Sequence, residues 1–88
     1  MDARTIRLRL SGHGDVRLHR DGSWTLRLVK PAGEFWKERL TRAVRDEVPG
    51  AVVSLYRCRR AADRWFEVHE LEFRVGPEMV GRGAGVAA

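Results

Sequence analysis

A single cysteine, Cys58, leaves this chain no partner for an internal disulfide and no second thiol for a cysteine-based metal cluster. It reads instead as a small core filler. No apolar run approaches the roughly 18 residues that a membrane-spanning helix needs, so no membrane partner is expected. The opening Met1-Asp2-Ala3-Arg4 lacks a basic leader, an apolar stretch and a cleavage site. No secretory signal is therefore expected, and a cytoplasmic location follows. The three histidines, His13, His19 and His69, stand apart without H-x-x-x-H spacing, which gives zinc little support. Gly12 and Gly14 join two apolar-periodic segments and lack the Lys-Ser/Thr ending of a phosphate-cradling loop. Ser11, Ser23, Ser54 and Cys58 sit in no recognisable nucleophile setting. The expectation is a non-catalytic protein with no metal and no cofactor.

Lysine is scarce as well: the 17 basic residues are 15 Arg and two Lys, against 12 acidic residues. Arginine favours bidentate contact with phosphate or carboxylate. Residues 1–30 hold seven basic and three acidic groups, 31–48 four of each, and 49–75 five and four. Most of the excess therefore falls in the first third of the chain.

That third alternates. Residues 4–11, 15–20 and 23–30 place Ile6, Leu8, Leu10, Val16, Leu18, Trp24, Leu26 and Leu28 in one phase, as in half-buried strands. Two three-residue tips would join them, Gly12-His13-Gly14 and Arg20-Asp21-Gly22. The second pairs Leu18 with Trp24 and Val16 with Leu26, and asks Gly22 for positive φ. The opposite face then gathers Arg7, Arg9, Arg17, His19 and Arg27, with rows Arg9-Arg17-Thr25 and Ser11-Asp15-Arg27. Glu34 to Val48 reads as a helix with a stripe of Trp36, Leu40, Ala43, Val44 and Val48, closed by Pro49-Gly50. Ala51 to Cys58 is a fourth strand with apolar groups on both sides. Arg64 to Val75 is a fifth, whose apolar phase changes between Val68 and Leu71. A bulge near His69-Glu70 or two-sided burial would account for the change. The predicted fold is one α+β domain over residues 1–75. It is a two-layer, mostly antiparallel five-stranded sheet in the order β-β-β-α-β-β, with one helix on one face. Residues 76–88 read as a flexible tail.

The functional expectation is binding, through a homo-oligomer or as a subunit or adaptor in a protein assembly. Val52, Val53, Tyr56, Glu72 and Phe73 are the candidate oligomer interface. Arg7, Arg9, Arg17, His19 and Arg27, with Arg57, Arg59 and Arg60 beside the last turn, are the candidate protein or nucleic-acid contacts. The partner is then the protein itself or another protein. DNA or RNA on the basic face is the alternative. Two features weigh against it: Trp24 takes the inward phase, so no aromatic stacking platform is left, and Glu67, Glu70 and Glu72 would repel phosphate if they share that face.

Overall fold

The computed structural model describes residues 1–76. It contains four strands and two helices: α1 (Ala3–Leu10), β1 (Asp15–Leu18), β2 (Trp24–Pro31), α2 (Lys37–Glu47), β3 (Ala51–Arg60) and β4 (Phe66–Val75). The sheet is antiparallel in the order β1-β2-β4-β3. Five strands and one helix were expected, so the count is corrected at both ends. The tail expected over 76–88 lies, beyond Gly76, outside the described residues.

The correction arises at residues 4–11, which form α1 and not a strand. Ile6 and Leu10 are one helical turn apart and both are buried, while Leu8 between them is 68% exposed. A strand would have turned all three the same way; a helix needs only the i,i+4 pair. Three apolar positions two residues apart satisfy either period. Asp2 decides locally, because its carboxylate accepts the Thr5 N–H at 2.9 Å and caps the first turn. Gly12-His13-Gly14 is accordingly a helix-to-strand link and not a hairpin tip. Gly14 is needed for close approach: a Cβ there would lie 2.5 Å from the Arg27 carbonyl oxygen.

The second tip forms as the sequence predicts. Leu18 pairs with Trp24, Val16 with Leu26, Arg17 with Thr25 and Asp15 with Arg27, and Gly22 has φ +88. Asp21 Oδ1 accepts the Ser23 hydroxyl at 2.6 Å and the Ser23 N–H at 2.9 Å. These bonds, with Arg74 3.0 Å from Oδ2, hold the Asp21 carboxyl below its ordinary range.

Helix α2 begins at Lys37, later than Glu34, because no side chain caps its start and Glu34 instead accepts the Trp36 indole N–H at 2.9 Å. The bulge lies in β3, between Val53 and Leu55, and not near His69-Glu70. Strand β4 is regular and buried on both sides: Leu71 and Phe73 face the helices, while Val68 is buried on the opposite face.

The pairings give the face beneath the helices four rows: Trp24-Phe73-Val53, Leu26-Leu71-Tyr56, Leu28-His69-Cys58 and Lys30-Glu67-Arg60. Ile6, Leu10, Leu40, Val44 and Val48 cover the first rows and complete the core. The rows therefore run from aromatic and aliphatic to charged along a single surface.

Gly14→Ala is expected to destabilise the fold by roughly 1–3 kcal/mol, through a forced shift of backbone against β2. Gly12→Ala, whose added methyl would meet nothing within 4 Å, should be neutral or slightly stabilising. Urea denaturation of both variants checks this. Equal midpoints would contradict the close approach at Gly14.

Candidate functional site

Two surfaces concentrate functional groups. The first is the sheet face opposite the helices, which no other element covers among the described residues. On it, β1 and β2 place Arg17 and Arg27, β4 places Glu70 and Glu72, and β3 places Leu55, Arg57 and Arg59. Arginines predominate at the two flanks, where Asp15 stands opposite Arg27, and the centre of β4 is anionic, with Arg74 at its end. Arg57 donates to Glu72 at 3.2 Å, and Arg27 stands directly opposite Glu70. His19 Nε2 lies 2.6 Å from Thr25 Oγ1 at the end of the face. Apolar groups occupy opposite corners: Val29 and Phe66 at one, Val52 at the other, all exposed.

The expected basic cluster is thus redistributed. Arg7 and Arg9 belong to α1. The Arg7 guanidinium lies 6.0 Å from the Trp24 ring, and Arg9 donates to the Glu47 carbonyl at 3.1 Å. Neither joins Arg17, so the predicted Arg9-Arg17-Thr25 row does not exist. Arg60 turns to the helix side, where it donates to the Arg64 carbonyl at 3.0 Å. Of the expected interface, Val52 and Glu72 reach the open face, while Val53 and Tyr56 are half-buried on the helix side. Phe73 is fully buried and stacks on Trp24 with ring centroids 6.2 Å apart, so it cannot meet a partner.

The second surface lies at the charged end of the helix-side face, beyond the reach of α1. The Ala32–Trp36 segment leads into α2 and leaves an open cleft of about 860 Å³ lined by Gly33, Phe35, Trp36, Tyr56, Cys58 and Glu67, among others. Trp36 stands at its wall with Lys30 4.9 Å and Arg39 4.8 Å from its ring. Adjoining the lining residues Tyr56, Cys58 and Glu67, the imidazole of His69 is 1% exposed. Its Nδ1 lies 2.7 Å from the Tyr56 hydroxyl, and its Nε2 is buried with no hydrogen-bond partner among the described residues. An unpaired buried polar atom costs roughly 1–3 kcal/mol. Glu67 Oε1 accepts the Gly33 N–H at 3.1 Å and stands 4.0 Å from that Nε2. Cys58, directly opposite His69 across β3 and β4, is exposed and not the core filler expected. Ligating atoms of Cys58, Glu67 and His69 all lie within 4.8 Å of one another.

Sequence reasoning grouped Glu67 with Glu70 and Glu72 as possible neighbours of the basic face; Glu70 and Glu72 are there, whereas Glu67 lies on the helix side with His69. The signal was present in the alternation, since residues 67 and 69 share a strand face. Pairing with Cys58 required the β3–β4 register.

Burial pushes the Tyr56 phenol up to about 12, with Cys58 and Glu67 adding to the effect. Tyr56 is the only tyrosine, so its titration can be followed by tyrosinate absorbance. The midpoint should lie near 12 in the folded protein and near ~10 in denaturant. Because the neutral phenol is favoured in the folded state, its contribution to stability is complete below the unfolded value. It is lost as pH rises through the folded one. A folded-state midpoint at the ordinary value would contradict the burial.

No protein-family model matches the chain, and no curated protein or solved structure matches it either; the reading of its function rests on these two surfaces.

Proposed function

We propose that the protein is a non-catalytic binding protein that acts by associating with a second copy of itself through the uncovered sheet face. The observation that carries this reading is the charge arrangement at the middle of the face: Arg27 on β2, Glu70 and Glu72 on β4, and Arg57 and Arg59 on β3, on adjacent strands. A copy related by a two-fold axis parallel to the strands, placed so that β4 of each face lies over β3 of the other, sets Glu70 and Glu72 of each copy against Arg57 and Arg59 of the other. Such a contact is self-complementary, as an isologous dimer requires. The apolar corners supply Val29, Phe66 and Val52 around this charged belt, and Leu55 lies within it. Strand addition at the free edge of β3 is the weaker route, because Arg57, Arg59 and Arg60 crowd that edge.

The same carboxylates weigh against nucleic acid as the occupant. Glu70 and Glu72 stand where a phosphate backbone crossing the face would pass, and the aromatic ring that the strands place on the face, Phe66, lies at a corner away from its middle.

Light scattering over a dilution series should show a dimer that dissociates, with association weakened by salt as the facing charges are screened. Val29→Asp and Leu55→Asp should each weaken it about tenfold or more. A monomer persisting at the highest attainable concentration refutes the reading. A salt-sensitive complex with labelled DNA or RNA, lost on Arg17→Ala plus Arg57→Ala, would favour the nucleic-acid alternative instead.

A further inference from the structure

The second surface carries an independent inference. We propose that Cys58, Glu67 and His69 form a binding site for a thiolate-preferring divalent cation, Zn²⁺ by its chemistry, with the fourth coordination position open to the cleft beside Trp36.

Three observations support the site. The donor set joins one sulfur, one imidazole nitrogen and one carboxylate, a mixture that suits Zn²⁺ better than the oxygen-seeking Mg²⁺ or Ca²⁺. The buried Nε2 of His69 has no hydrogen-bond partner among the described residues, and a thiol and a carboxylate stand near it. The other ring nitrogen, Nδ1, is occupied by the Tyr56 hydroxyl at 2.7 Å. When Nδ1 carries the proton and donates to Tyr56 Oη, the lone pair of Nε2 is directed at the cluster. That is the outer-shell arrangement by which proteins fix the tautomer of a metal-binding histidine.

The dimensions are compatible. Tetrahedral bonds to nitrogen, oxygen and sulfur place neighbouring donors roughly 3.3–3.8 Å apart, and here they lie within 4.8 Å. Closure of about an ångström falls to Cys58 and Glu67, the less buried members, while His69 stays fixed between strands. Charge also balances. A thiolate and a carboxylate neutralise a dication, and the nearby Arg60 is only loosely engaged with Glu67, at 4.0 Å. The Gly33 N–H already orients Glu67 Oε1 toward the cluster side. Residues from β3, β4 and the segment before α2 thus converge on one point, and a bound ion would tie the uncovered end of the sheet to the loop above it. Cation binding releases the thiol proton to solvent and involves no redox change.

The test uses the full 88-residue chain, reduced and freed of metal, titrated with Co²⁺ as a spectroscopic probe and then with Zn²⁺. One equivalent of Co²⁺ should give a thiolate-to-metal charge-transfer band with the intense visible bands of a tetrahedral site, and Zn²⁺ should abolish both. Cys58→Ser, at an exposed position that should leave folding intact, must remove the charge-transfer band. It should weaken uptake beyond the hundredfold that outer-shell losses reach. Glu67→Gln should weaken uptake with the charge-transfer band retained. Tyr56→Phe should weaken uptake about tenfold with the band unchanged, which marks Tyr56 as a positioning residue. Absence of saturable uptake by the folded wild-type chain overturns the proposal. So does uptake without a thiolate band, or uptake that Cys58→Ser leaves unaltered.

Discussion

The antiparallel register of β2 against β4 is the constraint on which everything else in this molecule depends. It sets Leu26 opposite Leu71 and Trp24 opposite Phe73, and these buried pairs are the floor onto which both helices pack. A slip by one residue would exchange the two faces of β4, carrying Glu70 and Glu72 under the helices and Leu71 and Phe73 into water. Leu26, Leu71 and Phe73 have no measurable exposure, and truncating such a side chain to alanine costs about 2–5 kcal/mol. The register is therefore held by a large difference in apolar burial and needs no particular salt bridge.

Both candidate surfaces are by-products of that register. On the face away from the helices it sets the acidic positions of β4 between arginines contributed by β2 and β3. On the helix side it extends the row of large apolar groups until it reaches Leu28-His69-Cys58 and Lys30-Glu67-Arg60. The helices cover the oily rows and leave the polar ones to the shorter Ala32–Trp36 segment. His69 marks the boundary: it is as buried as the core residues, yet among the described residues one of its nitrogens has no hydrogen-bond partner. Polarity continues one row further into the interior than packing alone would favour.

The surface ion pairs contribute little to stability. Arg57–Glu72 and Arg74–Asp21 both involve side chains at least a third exposed, where solvent screens the attraction. The Asp21-Ser23 bonds are local and organise the β1–β2 tip directly, and Arg74 clamps that tip to the end of β4.

What could be read from the chain alone was local. The Arg20-Asp21-Gly22 tip followed because only a three-residue loop keeps Leu18 and Trp24 on the same side. The stripe of Leu40, Val44 and Val48 followed because helical spacing repeats over several turns. Ile6, Leu8 and Leu10 span too few residues to separate a period of two from an i,i+4 pair, and the choice fell to what α1 could cover. The same limit applied to the clusters. Alternation alone puts residues 67 and 69 on one side of a strand, but Cys58 meets them only through pairing across β3 and β4. Arg57 and Arg59 join Arg17 and Arg27 through β4, which enters the sheet between β2 and β3. Strand order and register are long-range choices, decided by which arrangement buries the most apolar surface at once, and no short window of sequence contains that comparison.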